Sequence, residues 1–115
     1  RRLAATRYGE LLDGVPSIVT PEVTPEHVFH QYTVRVLGGR RDAVRERLAR
    51  DGIATMVYYP LPQDRLPVFA RLGGGCPVSD GLAQEVLSLP MGPLLAEETQ
   101  ARVAASLAAA VTDGR

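Results

Sequence analysis

A chain of 115 residues is long enough for one hydrophobic core and too short for two, because a domain usually needs about 100 to 150 residues. Hydrophobic residues make up 45% of the sequence and charged residues 23%, which are proportions of a folded globular protein and exclude a disordered chain. The 13 basic and 13 acidic residues cancel, which argues against a nucleic acid or an anionic membrane surface as partner.

Two further features of the composition bear on compartment and chemistry. No apolar stretch approaches the roughly 18 to 20 residues that cross a bilayer, and Cys76 is the only cysteine, which fits a reducing compartment. We therefore expect a cytoplasmic protein. All 13 basic residues are arginines, so the sequence has no lysine and cannot form a Schiff base by itself.

The first predicted element is a helix over Arg1 to Leu12, where apolar residues recur every three to four positions. Three prolines then predict an extended linker from Val15 to Glu26. We expect residues 1–26 to be the end of an interdomain helix and its linker, and residues 27–115 to form a small C-terminal domain.

Alternation predicts the next strand, from Val28 to Leu37, and the residues on one of its faces are Val28, His30, Tyr32, Val34 and Val36. Asp42 is the predicted N-cap of a helix that ends at Gly52. A second strand is predicted from Ile53 to Tyr59, which would complete a unit of the size of a βαβ motif.

The rest of the chain predicts a helix from about Pro77 to Val86, a brief strand over Leu87 to Pro90, and a final helix over about Ala96 to Val111. The apolar stripe of the final helix is Thr99, Val103, Leu107 and Val111. The predicted fold class is α+β, with a small sheet of about three strands and helices packed on one face.

The residues alone contain no strong catalytic motif. The densest group of functional side chains lies in the segment from Tyr58 to Asp64. A tyrosine pair at a strand end either packs against a neighbouring element or binds a ligand, and the sequence leaves both interpretations open. Arg40 to Arg50 is interpreted as a solvated helix face because acidic residues interrupt it.

The two histidines do not predict a metal site. His27 and His30 are three positions apart on the predicted strand, so their side chains point to opposite faces. His30 is either a hydrogen-bonded residue at the edge of the core or a ligand contact.

Four segments, taken in order, resemble the C-terminal region of the DegT/DnrJ/StrS sugar aminotransferases, a group of fold type I enzymes that use pyridoxal phosphate (PLP). They are His27 to Tyr32, Arg50 to Thr55, Tyr58 to Pro62, and Glu85 to Met91. The resemblance extends over about residues 1 to 111, and the ordered set is more specific than any one segment.

The resemblance implies that the complete enzyme is a homodimer that moves an amino group from glutamate or glutamine to a keto sugar nucleotide. PLP would act as the electron sink and be bound mainly by an absent large N-terminal domain. This chain would contribute no catalytic residue and be inactive alone. The implied substrate-binding residues are His30, Tyr32, Tyr58, Tyr59, Gln63 and Asp64.

One position departs from the family pattern. Where the family commonly has Pro-Leu-His, this chain has Pro62-Gln63-Asp64. An aspartate would repel a substrate carboxylate or diphosphate unless Arg65 or another neighbour compensates. The departure predicts an altered donor or sugar preference, or weak activity.

Two alternatives stay open. The pattern of elements also allows a stand-alone α+β ligand-binding or regulatory module without catalytic activity. The parent protein could also regulate transcription, as a few relatives are thought to do.

Overall fold

The computed structural model describes residues 1–73 and 75–113. The elements are α1 (Arg2–Leu11), β1 (Ile18–Val19), β2 (Tyr32–Val36), α2 (Arg41–Arg50), α3 (Pro77–Glu85), β3 (Val86–Leu89) and α4 (Glu97–Asp113), with 3₁₀ turns at Gln63–Arg65 and Ala70–Leu72. The strands form one antiparallel sheet in the order β1-β2-β3. The predicted α+β class with a sheet of about three strands is confirmed.

Strand β2 is central, and its alternation builds the core. Tyr32, Val34 and Val36 are buried, whereas Thr33 and Arg35 between them are partly exposed. The buried face packs with apolar residues of α1, α2 and α4 in one cluster. The period-two pattern therefore predicted both the strand and its inner face correctly.

Helix α1 is joined to α4 and to the end of β3. Gln100 is fully buried and its amide donates to the carbonyl of Ala4, while its oxygen accepts from Arg7 at 2.9 Å. The Tyr8 hydroxyl donates to the carbonyl of Pro90 at 2.6 Å. Because these polar groups are paired inside the packed region, α1 is held at a fixed position on the sheet.

Arg40 and Arg41 depart from the prediction of a solvated helix face. Arg40 donates to the carbonyl of Val111 at 2.6 Å, near the C-terminal end of α4. Arg41 is buried and donates to the carbonyls of Ala83 and Val86, both at 2.9 Å, at the end of α3. The last carbonyls of a helix lack intrahelical donors and carry partial negative charge, so each guanidinium completes a helix end.

The predicted strand from Ile53 to Tyr59 is wrong. This segment forms only an isolated antiparallel bridge between Met56 and Ser88. Pro60, just after it, has no N–H to donate to a ladder. The described residues therefore contain no parallel βαβ unit, because every pairing in the sheet is antiparallel.

The strand predicted from Val28 begins only at Tyr32. Phe29 has a φ of 51° and is buried, whereas Val28 is 73% exposed, so the alternation is interrupted before β2. The residues predicted as a linker contain the short strand β1.

Two predicted details of the helices are also wrong. Asp42 lies in the first turn of α2, whose N-cap is Arg40. Thr99 is exposed, and Gln100 takes the buried position on α4. Apart from these details, the four helices lie where the sequence predicted them.

Within residues 1–73 and 75–113, none of the helices combines the length and the apolar character needed to cross a bilayer.

Candidate functional site

A cavity of about 310 Å³ lies where the chain enters β2 and leaves β3. The antiparallel register pairs Tyr32 with Leu89, so the residues before β2 and after β3 meet at one edge of the sheet. The bridge from Met56 to Ser88 brings a third segment alongside. Side chains that line this space, the His30–Tyr58 cavity, include Arg1, His30, Gln31, Tyr58, Ser88 and Met91.

The segment that carries His30 has little regular structure but many fixed contacts. The backbone N–H of Phe29 donates to Nδ1 of His27 at 3.0 Å, and the two rings stack with centroids 3.8 Å apart. Since Nδ1 accepts, a neutral His27 ring carries its proton on Nε2. Arg1 donates to the carbonyls of Phe29 and His30, at 3.3 and 2.9 Å. The wall of the cavity is therefore preformed.

The two adjacent tyrosines line different cavities. Tyr58 is half-buried in the wall of the His30–Tyr58 cavity, whereas Tyr59 is 71% exposed, and the rings meet edge-on with centroids 5.6 Å apart. Tyr59 and Gln63 line a second cavity of about 450 Å³, together with Leu61 and Leu66. The peptide bond between the tyrosines is cis.

A third open cavity, of about 530 Å³, is lined by Gln63 and Asp64 on one side and Phe69 and Ser79 on another. We call it the Asp64 cavity. The Arg65 guanidinium, next in sequence to Asp64, forms two hydrogen bonds with Asp80, at 2.7 and 3.1 Å, and attracts the Asp64 carboxylate more weakly, through charge alone. The pair lowers the pKa of the Asp80 carboxyl, chiefly through the hydrogen bond from Arg65. The compensation of Asp64 by Arg65 that the sequence allowed is therefore limited to this weaker attraction, because Asp80 accepts the hydrogen bonds of Arg65.

Tyr32 requires a correction. Its side chain is 1% exposed and stacks on Tyr8 with ring centroids 4.8 Å apart, so it belongs to the core rather than to a cavity wall. Burial raises the pKa of Tyr32 to about 12, against the smaller opposing effect of a hydrogen bond with Thr20. Burial also raises the pKa of Tyr8 above its usual value, and the nearby Tyr32 adds to this shift.

The structure therefore brings together some of the predicted site residues. His30 and Tyr58 share one cavity, and Gln63 lies between Tyr59 and Asp64 on the neighbouring loop. Among the described residues, no group of three or more His, Cys, Asp or Glu side chains is placed to hold a metal ion.

Sequence reasoning named only His30 and Tyr58 among the residues that line the His30–Tyr58 cavity. The residues that it missed include Gln31, Ser88 and Met91. Each lies in one of the segments that carried the family resemblance. The signal that could have found them is the antiparallel pairing of β2 with β3, because it places the ends of those two segments side by side.

Large apolar side chains are exposed along the segment that follows the tyrosines. We call these residues the apolar strip: Tyr59, Leu61, Val68, Leu72 and Val78, which are between 44% and 76% exposed. Single exposed apolar residues are ordinary on a protein surface, whereas these five lie within about twenty positions of the sequence.

Comparisons with known proteins agree on the class of protein. Residues 1–108 match the model of the DegT/DnrJ/EryC1/StrS aminotransferase family. The fold is similar to that of the crystallised S. venezuelae DesV in complex with a ketimine intermediate, with a TM-score of 0.86 and 36% identity, over 94% of this chain and 30% of that one.

Two curated relatives are similar over most of this chain. The chain is 46% identical to a pleiotropic regulatory protein of Geobacillus stearothermophilus, over 94% of its length and 30% of the relative's. It is 45% identical to the UDP-N-acetyl-3-dehydro-alpha-D-glucosamine 3-aminotransferase of Acidithiobacillus ferrooxidans, over 90% of its length and 28% of the relative's. The chain thus spans less than a third of the length of these relatives.

The fold is that of a part of an aminotransferase. The chain belongs to the DegT/DnrJ/EryC1/StrS aminotransferase family, and the resemblance stated from the sequence is confirmed. Aminotransferases of this family depend on PLP.

Proposed function

We propose that this chain is the C-terminal small domain of a PLP-dependent aminotransferase, which transfers an amino group from glutamate or glutamine to a keto sugar nucleotide. The observation that carries the proposal is the family match over residues 1–108, joined to a preformed cavity in the segments that carry the resemblance. The 45% identical relative, which is named as an aminotransferase of a UDP-linked keto sugar, supports the substrate class.

The cofactor belongs to another part of the enzyme. PLP supplies the electron sink for amino transfer and is held in such enzymes through a lysine Schiff base. This chain contains no lysine, so its own residues do not fit a complete PLP site. Residues 27–115 would instead wall one side of an active site whose lysine lies in a preceding domain, and residues 1–26 would connect the two.

The proposed substrate contacts are His30 and Tyr58 in the His30–Tyr58 cavity, and Tyr59, Gln63 and Asp64 on the adjoining loop. The imidazole and the phenol can donate and accept hydrogen bonds, as recognition of sugar hydroxyls requires. The aromatic rings would exclude water from the reacting atoms. Tyr32 is left out of this set because it is buried in the core.

We propose that the apolar strip is the surface that contacts another domain or subunit. Its exposed side chains would be covered by the preceding domain or by the second subunit of a homodimer, because large apolar patches on stable proteins are usually buried in an assembly. We further propose that the complete enzyme works in the cytoplasm, where nucleotide sugars are made.

The test is to express the complete gene and to measure both cofactor and activity. We expect the yellow absorbance of PLP bound to a lysine, and amino transfer from glutamate or glutamine to a UDP- or dTDP-linked keto sugar. His30→Ala should raise the KM for the sugar nucleotide about tenfold, because it removes a binding contact. The matched control is Arg45→Ala, on the exposed face of α2. A colourless protein that transfers no amino group would contradict the proposal.

Asp64 provides a test of specificity. Since Arg65 donates its hydrogen bonds to Asp80 and attracts Asp64 only weakly, the Asp64 charge should disfavour an anionic group at the Asp64 cavity. Asp64→His should therefore change the ratio of kcat/KM values between amino donors or sugar nucleotides. An unchanged ratio would show that position 64 does not contact the substrate.

One observation favours a second function. The 46% identical relative is named as a pleiotropic regulatory protein, so the parent of this chain could act in regulation. The same assay separates the two, because a purely regulatory protein would show no amino transfer with any sugar nucleotide.

A further inference from the structure

Five hydrogen bonds join the start of α1 to the segment that carries His30, and their donors are Arg1, the N-cap, and Arg2, the first residue of the helix. Arg2 donates through one nitrogen to the carbonyls of Thr24, Pro25 and His27, at 3.1, 3.1 and 2.8 Å. Arg1 donates to the carbonyls of Phe29 and His30, as described above. Two neighbouring arginines thus donate to five of the seven backbone carbonyls between residues 24 and 30.

The segment that accepts these hydrogen bonds has no regular secondary structure to stabilise its conformation. Residues 24–31 lie outside the helices and strands, and Phe29 adopts a φ of 51°, a region that non-glycine residues enter at a cost. A side chain can face the His30–Tyr58 cavity only if this irregular backbone keeps one conformation. The charged hydrogen bonds from α1 are suited to this, since they are stronger than neutral ones.

From this geometry we propose that Arg1 and Arg2 are positioning residues, which orient His30 and Gln31 toward the substrate from the first turn of α1. The inference rests on the proposed function for the identity of the substrate. The inference goes beyond the proposed function because it assigns to the start of α1 a role in orienting substrate-binding residues, in addition to connecting two domains. Arg2 is the sharper case because it does not line the cavity, so its influence must pass through residues 24–27.

The same helix offers a matched control. Arg7 carries the same charge, but its contacts go to Gln100 and Glu97 on α4, at 2.9 and 3.3 Å, rather than to the His30 segment. Replacing Arg7 therefore removes a charge and a polar contact of α1 and leaves residues 24–30 held. Arg2→Lys is the conservative variant, because an ammonium group keeps the charge and offers three donors to the three carbonyls.

The experiment uses the complete enzyme in four forms: wild type, Arg2→Met, Arg2→Lys and Arg7→Met. In Arg2→Met the KM for the sugar nucleotide should rise about tenfold with kcat within about twofold, and the amides of residues 26–31 should exchange hydrogen faster. Arg2→Lys should recover part of both effects. Arg7→Met should match the wild type in KM and in exchange over these residues.

The outcomes separate this inference from the proposed function. If the wild type transfers no amino group to any sugar nucleotide, the proposed function fails, and faster exchange in Arg2→Met alone would still support the holding of residues 26–31. If the wild type is active and Arg2→Met has an unchanged KM, the positioning role is wrong, whatever the exchange shows. Equal effects of Arg2→Met and Arg7→Met would also overturn it, because they would reflect charge alone.

Discussion

Two regions of this molecule differ in the exposure of their large apolar residues. In the core side, formed by α1, α2, α4 and the sheet, the large apolar residues of the inner faces are almost fully buried. In the segment from Tyr58 to Val78, the apolar strip faces outward, and the regular structure that is described there before α3 consists of two 3₁₀ turns.

This difference separates the residues that stabilise the fold of this chain from those that are exposed for contact with another domain or subunit. The core side satisfies its own polar groups, including the buried Gln100 and Arg41. Burial of apolar area stabilises a fold by about 25 cal/mol per Å², and the outward-facing strip forgoes that contribution within this chain. We infer that the strip contributes its stabilisation to a larger assembly.

The largest expected effect tests the core side. Leu107 on α4 is fully buried in the core cluster, so Leu107→Ala should lower the free energy of unfolding by about 3 kcal/mol through lost burial and a cavity. Urea denaturation of the 115-residue chain, followed by circular dichroism, measures this. The matched control is Leu72→Ala in the strip, where 76% exposure predicts a loss below about 0.5 kcal/mol. An equal loss of unfolding free energy in Leu107→Ala and Leu72→Ala would contradict the difference between the two regions.

The next effect tests the polar contacts of the core side. Arg41→Met keeps most of the side-chain volume but leaves the carbonyls of Ala83 and Val86 without their donor, which should cost about 2 kcal/mol. Arg45→Met, on the exposed face of the same helix, should cost almost nothing. A loss at Arg41 no greater than at Arg45 would show that the buried guanidinium does not stabilise the end of α3.

A smaller, graded effect should appear at high pH. Tyr32 has a pKa of about 12 in the fold and about 10 when unfolded, so the unfolded chain loses this proton first. Stability should be unaffected by Tyr32 below pH 10 and then fall by about 1 kcal/mol for each pH unit toward 12. Urea midpoints measured across this range test the slope. Tyr32→Phe should reduce the slope without abolishing it, because the raised pKa of Tyr8 contributes over the same pH range. An identical slope in that variant would assign the effect to groups other than Tyr32.

The same contrast explains what the sequence could predict. The core side was predictable because burial imposes periodicity: the alternation at Tyr32, Val34 and Val36 and the stripe at Val103 and Leu107 are direct consequences of one face being inside. Helices α1, α2 and α4 and strands β2 and β3 were therefore predicted close to their observed positions.

The remaining features depend on contacts between distant parts of the chain. Residues 53–59 alternate like a strand, yet only Met56 finds a partner, which no local pattern reveals. The carbonyl of Phe29 accepts a hydrogen bond from the distant Arg1, and the ring of Tyr32 is buried against that of Tyr8. Part of the site, His30 with Tyr58, was predicted through the family resemblance, whereas Gln31, Ser88 and Met91 required the register.

Hydrogen exchange in the complete enzyme tests the central claim most directly. If another domain or subunit covers the apolar strip, the amides from Tyr59 to Leu72 should exchange far more slowly than those of the exposed turn at Gly38 and Gly39. Exchange of that segment as fast as the Gly38–Gly39 turn would mean that the strip faces water in the working protein, and it would contradict the account.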